Sequence, residues 1–417
     1  MKTQCDVIVV GGGASGLLCA VMLARKGVQV TVLEKNHRIG KKLSATGNGR
    51  CNYTNLRQKP EFYHVDETDG VWEILKRFDE KQAISFFKDA GVYPRERDGY
   101  VYPMSLQAVS LRNCLQRKID KKWVHLEEEV LEITQNMSEL GKCTGFVVKT
   151  DKDRYLAKKV IITAGGMASK CHGSNGACFD ILKSLGHTII KPVPALTWLK
   201  IEEKYTKLWA GVRVNGKIKA YDENKNELAE DSGELQLVST GISGIPVFQI
   251  SRYISRQLEK TKRAYIEADF LTEFSKDELL GEILRRRQDE QELEASYILE
   301  GIMNNKLVDA ILSRAEINKN SKLKDLTTEQ CEQICSLIKK FEAEVKDTAG
   351  FDNAQVTCGG VSRGEVNFKD MSSKICKGLY LAGEIVDVDG ICGGYNLQWA
   401  WSSGYIAGIS AAGGKQQ

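Results

Sequence analysis

Apolar residues at the start of the chain follow a strand–turn–helix–strand pattern. Residues 7–10 are a short apolar run that ends in three glycines at 11–13, and a second apolar run at 28–33 ends in Glu34. Residues 7–24 carry no charged side chain, but the glycines in their middle favour a strand, a turn and a buried helix over a membrane span. The pattern predicts that the chain begins with these elements.

Helical spacing and strand patterns alternate up to about residue 186. Asp79 and Gln82 are spaced as a capping box for a helix that Gly91 ends. Asp98-Gly99 predicts the tight turn of a hairpin. The predicted elements are helices at 79–91, 106–118 and 176–185, the hairpin 93–102, and strands at 123–135, 143–150 and 154–163.

The middle of the chain changes character twice. From 192 to about 271 apolar and polar residues alternate, with turn signals at Asn215-Gly216 and 222–226 and one helix after Pro246. From about 275 to 346 the chain is highly charged, with helical spacing. Two pairs in this stretch are spaced as helix caps, Ser275 with Glu278 and Thr327 with Gln330.

Glycines and apolar strands return near residue 356, so the two ends are predicted to form one domain with the middle inserted. The fold class is α/β. The predicted domains are a split nucleotide domain at 1–191 plus 347–417, a β-rich substrate domain at 192–272 and a helical domain at 273–346.

Composition narrows the class of protein. A chain of 417 residues with a net charge of +4 is ordinary for a soluble globular protein, and that charge is too small to indicate a nucleic-acid partner. The 12 cysteines are scattered, with no framework spacing and no secretory leader, so we expect a reducing cytoplasm. We find no transmembrane segment and expect no membrane partner.

The glycine turn carries the first chemical signal. Gly11 allows the tight turn, Gly13 lets the backbone approach a diphosphate, and Gly16 lets the helix pack against the strand. The diphosphate would lie on free N–H groups at the helix N-terminus. Glu34 would accept hydrogen bonds from the adenosine ribose and would repel a 2′-phosphate. These residues predict FAD or NAD rather than NADP.

A second glycine–acid strand near the C-terminus favours FAD. Gly383 and Glu384 end an apolar strand, and a Gly-Gly pair at 393–394 precedes a helix of small residues. In flavoproteins built this way the acid holds the ribityl chain, and the helix N-terminus points at the flavin N1/C2 carbonyl. A dehydrogenase that uses NAD alone has no need of this strand.

The long loop at 35–55 is the next candidate. Lys42 or Arg50 could neutralise phosphate, and Thr46, Asn52 and Asn55 offer hydrogen bonds to a polar ring. Loops of this length inside a compact domain are usually functional.

Together, the fingerprint, the loop GKKLSATGNGRCNYTN, Val101-Tyr102-Pro103 and the block LYLAGEIVDVDGICGGYNLQWAWSSGYIAG resemble one bacterial flavoprotein family. It contains the aminoacetone oxidase-like enzymes and the flavin reductase of the bile-acid-inducible operon. The resemblance implies a Rossmann-like FAD domain of the glutathione-reductase type, an inserted β-barrel-like domain and a small helical domain.

The resemblance also implies site residues. Val130 falls where related flavoproteins hold adenine through the backbone. The other positions that fall on FAD contacts are Ala14, Glu34, Lys42, Thr46, Gly47, Asn52, Glu384, Asn396 and Leu397. The full predicted cofactor set adds Gly11, Gly13, Ser15, Gly16, Lys35, Arg50, Ala164, Gly165, Gly383 and Gly394. The cofactor is expected to be tight, non-covalent FAD.

Other chemistries find little support. Cys331 and Cys335 lie one helical turn apart without further ligands, so we expect a buried helix face and no metal site. No CxxC accompanies the fingerprint, which argues against a dithiol relay. The candidates for a catalytic role are His172, beside a predicted cofactor loop, Asn52 and Tyr395.

The sequence leaves three functions open. No second GxGxxG follows a strand, so NAD(P)H would visit the flavin transiently as reductant. The favoured function is NAD(P)H-driven reduction of a C=C bond conjugated to a ketone in a small, steroid-like molecule. The family usually has a Thr-His pair before a Gly-x-Ser-Gly-Pro turn, but here residues 237–240 precede residues 241–246 with no His and with the proline displaced by one residue. The absent His weakly favours reduction. The alternatives are an amine oxidase that releases hydrogen peroxide and a non-catalytic flavin sensor.

Overall fold

The computed structural model describes residues 2–138, 143–201 and 203–413. These residues form two compact units. Unit 1 contains the residues up to Pro192 and those from Val356 onward, and unit 2 is Val193–Gln355.

The secondary structure begins with a strand and ends with a long helix. The strands are β1 (Lys2–Val10), β2 (Val30–Glu34), β3 (Thr54–Asn55), β4 (Pro94–Arg97), β5 (Tyr100–Pro103), β6 (Val124–Leu126), β7 (Val130–Met137), β8 (Cys143–Thr150), β9 (Arg154–Ile162), β10 (Ile189–Ala195), β11 (Leu199–Lys200), β12 (Arg213–Tyr221), β13 (Glu227–Val238), β14 (Gly241–Gly244), β15 (Tyr265–Asp269), β16 (Phe341–Glu344), β17 (Asp347–Thr348), β18 (Val356–Val361), β19 (Val366–Asn367), β20 (Ser372–Ser373) and β21 (Leu379–Leu381). The helices are α1 (Ala14–Arg25), α2 (Lys41–Ala45), α3 (Gly70–Arg77), α4 (Glu80–Asp89), α5 (Ala108–Gln116), α6 (Ala177–Ser184), α7 (Ile245–Thr261), α8 (Lys276–Asp289), α9 (Asn305–Arg314), α10 (Thr328–Lys339), α11 (Gly350–Asn353) and α12 (Tyr395–Ala411).

A parallel sheet forms the centre of unit 1, in the order β21-β9-β1-β2-β6. Val7, Ile8 and Val9 are fully buried, which agrees with the near-continuous apolar run of a strand covered on both faces. The Rossmann-type fold predicted from the sequence is therefore confirmed.

Helix α12 packs closely on α1 because it presents glycines to it. A Cβ at Gly404 would lie 2.6 Å from the Ser15 carbonyl oxygen, and one at Gly408 would lie 2.9 Å from that of Cys19. The Cys19 thiol also donates to the Gly404 carbonyl at 3.0 Å. This packing brings the last helix of the chain against the first.

Most local predictions in unit 1 are confirmed, including the Asp79–Gln82 capping box of α4 and the hairpin of β4 and β5. The strand predicted at 123–135 is wrong as one element, because it divides into β6 and β7. Glu127 adopts a left-handed conformation (φ 54°), and its N–H donates to the Asn36 carbonyl. The predicted loop at 35–55 contains the short helix α2. Helix α3 was not predicted from the sequence.

Unit 2 contains a seven-stranded sheet in the order β16-β15-β12-β13-β14-β11-β17, with α7 packed on it. The helix caps predicted at Ser275 and Thr327 are both formed. Strand β16 follows the three helices α8–α10 and pairs with β15, and one hydrophobic core includes residues of both segments. The segments 192–272 and 273–346 therefore share one sheet and one core.

One turn predicted in unit 2 is wrong. Asn215-Gly216 lies inside β12, opposite Glu234 and Gly233. A Cβ at Gly216 would lie 2.5 Å from the Asp269 carbonyl oxygen, so this glycine permits close strand contact. The turn predicted at 222–226 is formed, with the Asp222 N–H donating to the Asn226 carbonyl. Among the described helices, none combines the length and apolar character that a membrane span needs.

Candidate dinucleotide and flavin site

The glycine turn between β1 and α1 lies closely against the residues that follow β9. Gly11 has φ 99°, and a Cβ there would lie 2.8 Å from the Thr163 carbonyl oxygen. At Gly16 a Cβ would lie 1.9 Å from the Gly11 carbonyl oxygen, so the helix and the turn touch. At Gly13, by contrast, a Cβ would meet nothing within 4 Å. The turn is therefore open at Gly13, the residue predicted from the sequence to approach a diphosphate.

Glu34 is buried at the end of β2, and its carboxylate organises the backbone around it. One oxygen accepts from the Gly12 N–H at 2.8 Å. The other accepts from the Asn36 N–H at 2.8 Å and from the Asn36 side-chain amide at 2.6 Å. These hydrogen bonds fix the acid next to the glycine turn. Asn36 was not predicted from the sequence, since an Asn in a loop after a strand gives no distinct signal.

A polar cavity of about 330 Å³ lies beside this acid. Its lining residues are Lys35, Asn36, Glu127, Glu129, Asp151, Lys170, Gly173 and Asn175. The Lys35 ammonium donates to the Asn175 side chain at 2.6 Å and lies 3.8 Å from a Glu129 oxygen. Three acids face two cations, a balance that suits ribose and disfavours an additional phosphate. Val130, predicted to hold adenine, follows Glu129 directly and is buried.

Lys42 and Glu384 meet although 342 positions separate them. The Lys42 ammonium donates to one Glu384 oxygen at 2.8 Å, and the other oxygen accepts from the Thr357 N–H at 2.7 Å. Gly165 lies close by, since a Cβ there would be 3.9 Å from the Glu384 carboxylate. Ala164 also contacts Gly11. The structure therefore brings both predicted acids, Lys42 and residues 164–165 around one edge of the sheet.

His172 lies at the Glu34 end of this region. Its carbonyl oxygen accepts from the Asn36 side chain at 3.4 Å. Burial lowers the pKa of His172, and the cations of Lys41, Lys42 and Arg38 lower it further. The imidazole is therefore neutral near pH 7.

Residues 46–52, within the loop predicted at 35–55, form a tight, strained turn. The Thr46 hydroxyl donates to the Leu43 carbonyl at 2.9 Å, and the Cys51 N–H donates to the Thr46 carbonyl at 3.1 Å. Asn48 and Cys51 both lie in the left-handed region, with φ 53° and 56°. Gly47 and Arg50 are exposed at this turn. The Thr46 proton is thus used within the protein.

The segment before α12 is fixed by side chains of the first 55 residues. The Asn55 amide donates to the Gly393 carbonyl at 3.0 Å. A Cβ at Gly394 would lie 2.9 Å from the Asn52 side-chain oxygen, which accepts from the Val101 N–H at 3.2 Å. Asn52 and Asn55 therefore position backbone. The first N–H groups of α12 have no acceptor within the helix and can bind an anionic group.

Residues of α12 itself complete the arrangement. The Asn396 side chain bonds both backbone groups of Gly390 at 2.8 Å. The Tyr395 hydroxyl donates to the Arg57 carbonyl at 2.9 Å, and burial raises the pKa of Tyr395 to about 12. The Trp399 indole donates to the Gly383 carbonyl at 3.1 Å. Leu397 is half-buried at the helix start.

Gln398 connects the two ends of the chain, and sequence reasoning did not identify it. It is fully buried, accepts from the Thr54 hydroxyl at 2.5 Å and donates to the Phe78 carbonyl at 2.8 Å. Such long-range partners leave no local sequence signal.

No metal cluster is found within the described residues: no three His, Cys, Asp or Glu side chains are grouped to hold an ion. Cys331 and Cys335 are buried in α10 and face the hydrophobic core of unit 2.

Comparison with known proteins identifies relatives along the whole chain. Residues 5–410 match the HI0933-like protein Rossmann domain. The chain is 39% identical to 3-dehydro-bile acid delta(4,6)-reductase of Clostridium scindens, over 97% of this chain and 98% of that one. It is 29% identical to ribosomal RNA dihydrouridine synthase of Haemophilus influenzae, over 98% and 99% of the two chains.

The fold is also found in a solved structure. 3-Ketosteroid delta1-dehydrogenase from Sterolibacterium denitrificans, in complex with 1,4-androstadiene-3,17-dione, aligns with a TM-score of 0.50. The alignment covers 99% of this chain and 100% of that one at 11% identity, so it shows the shared fold.

Proposed function

Because this chain belongs to the HI0933-like family of FAD-binding Rossmann proteins, we propose that it is an NAD(P)H-driven reductase. Its substrate would be a small molecule with a C=C bond conjugated to a ketone, of steroid or bile-acid type. The observation that carries this proposal is the 39% identity with the Clostridium scindens reductase over almost the full length of both chains.

The residues around the glycine turn fit FAD. Gly13 and the N-terminus of α1 would hold the diphosphate, and Glu34 would hold the ribose hydroxyls. Glu384 and Lys42 would hold the ribityl chain, and the N-terminus of α12 would face the flavin carbonyl. Bound FAD supplies transfer of a hydride between a nicotinamide and a carbon acceptor.

NAD(P)H would act as a transient reductant. The sequence has one dinucleotide fingerprint, and its acid, Glu34, is already committed to the adenosine ribose in this proposal. A nicotinamide cofactor would therefore bind, react and leave before the acceptor enters.

A uracil base in ribosomal RNA is the second candidate substrate. It is favoured by the 29% identity with the Haemophilus influenzae dihydrouridine synthase, which spans both chains. Forming dihydrouridine also reduces a C=C bond conjugated to a carbonyl, so both candidates require the same hydride and proton. The net charge of +4 gives little support to an RNA partner.

The test is anaerobic reduction followed by a panel of acceptors. FAD-loaded protein is mixed with NADH or NADPH, and the loss of flavin absorbance is followed. A 3-keto-4-ene steroid, a 3-keto-4,6-diene steroid or unmodified ribosomal RNA is then added. We expect a nicotinamide to reduce the flavin and an enone to reoxidise it, giving a product that has gained two hydrogen atoms.

Three other outcomes would contradict the proposal. Reoxidation by ribosomal RNA alone would identify the second candidate. Rapid turnover of an amine in air with release of peroxide would identify an oxidase. A flavin that no nicotinamide or substrate reduces would identify a sensor.

A further inference from the structure

The β4–β5 hairpin presents two tyrosines next to the segment that precedes α12. Tyr100 and Tyr102 are two residues apart in β5, so their side chains lie on the same face. Asn55 pairs with Tyr100 across the β3–β5 ladder, and its amide donates to the Gly393 carbonyl. A Cβ at Gly393 would lie 3.2 Å from the Tyr100 ring. This face of the hairpin therefore lies against the residues that directly precede α12.

Tyr102 has a protonated hydroxyl that is available to donate a hydrogen bond or a proton. Its ring is half-buried, and within the part of the chain that the structure describes its hydroxyl makes no hydrogen bond. Burial raises the pKa of Tyr102, Tyr100 and Cys392 act in the same direction, and Arg97 and Arg50 oppose them. The phenol therefore keeps its proton at neutral pH.

Other candidate acids are less suited. The Tyr395 hydroxyl already donates to the Arg57 carbonyl. His172 is neutral near pH 7 and lies beside Asn36, at the Glu34 end of the site. Burial raises the pKa of the Cys392 thiol to about 11.

We propose that Tyr102 is the proton donor of the reduction, an inference that rests on the proposed function. The β-carbon of the C=C bond gains a hydride whose two electrons come from NAD(P)H. As the π bond breaks, its electron pair forms a bond from the α-carbon to the Tyr102 hydroxyl proton. Water returns a proton to the phenolate. In sum, NAD(P)H, one proton and the alkene give NAD(P)⁺ and the saturated ketone.

The first test compares Tyr102→Phe with Tyr93→Phe, a control at an exposed tyrosine just before β4. Reduction of bound FAD by NAD(P)H and its reoxidation by an enone are measured separately. Tyr102→Phe should leave the first unchanged and slow the second by about 100-fold or more, the contribution typical of an acid catalyst. Reoxidation by oxygen needs no proton on carbon and should not change. Tyr93→Phe should match the wild type throughout.

The wild-type rate of reoxidation by the enone should also depend on pH. The phenol must be protonated, so the rate should be constant near neutrality and fall as the pH rises through the raised pKa of Tyr102. In Tyr102→Phe this alkaline fall should be absent.

A second readout needs no turnover. Electron transfer from a phenol in contact with excited flavin quenches its fluorescence, so Tyr102→Phe should lengthen the fluorescence lifetime of the oxidised flavin. Tyr93→Phe should leave it unchanged. The inference is overturned if Tyr102→Phe keeps the wild-type rate of reoxidation by the enone, whatever its fluorescence lifetime. If the wild type itself is not reoxidised by any enone, the proposed function fails, and the donor role fails with it. An unchanged lifetime would then also place Tyr102 away from the flavin.

Discussion

The two ends of the proposed FAD site are built in different ways. The adenosine end centres on a stretch of about thirty residues, in which Gly11 and Gly16 make close backbone contacts and the Glu34 carboxylate accepts from the Gly12 N–H. The flavin end combines segments more than 300 positions apart, joined by hydrogen bonds such as that of Thr54 with Gln398. Contacts between residues close in sequence therefore specify the centre of one end, and buried side-chain partners far apart in sequence specify the other.

Gly16→Ala tests the adenosine end. The new Cβ would lie 1.9 Å from the Gly11 carbonyl oxygen, so the turn and helix must separate. We expect a loss of about 3 kcal/mol in the free energy of unfolding of the FAD-free protein. Denaturant unfolding measures this loss.

Gly13→Ala is the matched control for that change. Its Cβ meets nothing within 4 Å, so the FAD-free protein should lose about 1 kcal/mol or less. Its affinity for FAD should nevertheless fall, because the methyl group enters the region of the diphosphate. Equal stability of Gly16→Ala and Gly13→Ala would contradict this picture of the turn.

Gln398→Leu tests the flavin end. It leaves the buried Thr54 hydroxyl without its acceptor and removes one of the two hydrogen bonds to the Phe78 carbonyl, which keeps that of the Ser402 hydroxyl, at a cost of about 2 kcal/mol. The flavin absorbance spectrum of the variant should also change, because the residues directly before α12 would be held less firmly next to the flavin. Gln116→Leu, at an exposed position that ends α5, should have little effect. A Gln398→Leu protein with wild-type stability would show that these hydrogen bonds do not hold the two chain ends together.

Glu34→Gln asks how far the adenosine end depends on one charge. A neutral amide offers one oxygen where the carboxylate accepts from Gly12, from Asn36 and, in our proposal, from ribose. We expect a loss of about 2 kcal/mol in FAD binding, or about 30-fold in Kd. Titration of FAD-free protein measures it, with the exposed Glu132→Gln as control. An unchanged Kd would remove Glu34 from the site.

Ser275→Ala should change neither end. Ser275 caps α8 in unit 2 by accepting from the Glu278 N–H. Its loss should reduce stability by about 1 kcal/mol, measured by denaturant unfolding. The Kd for FAD should stay at the wild-type value. A shift in that Kd would show that unit 2 influences FAD binding.

The sequence predicted the elements that are determined by residues close to one another in the chain. The Rossmann-type order of β1, α1 and β2, the capping boxes at Asp79, Ser275 and Thr327, and the Asp98-Gly99 hairpin all depend on residues within a few positions of one another. The cofactor contacts of the predicted residues stay predictions, since they concern a bound molecule.

What the sequence did not predict depends on distant partners. Asn215-Gly216 was interpreted as a turn because that dipeptide favours one, yet the neighbouring strands hold it extended within β12. Glu127 interrupts a strand because its N–H bonds the Asn36 carbonyl, about ninety positions away. Gln398 and Asn55 act through partners on the opposite end of the chain.

Equilibrium titration of the FAD-free protein tests most directly whether both chain ends hold one dinucleotide. FAD, FMN and ADP are each titrated, and ADP is also tested as a competitor of FAD. We predict one FAD per chain, competition by ADP, and much weaker binding of FMN. FMN lacks the adenosine whose ribose Glu34 would hold and one of the two phosphates that Gly13 would hold. If FMN bound as tightly as FAD, or if ADP failed to compete, the claim that both chain ends hold one dinucleotide would be contradicted.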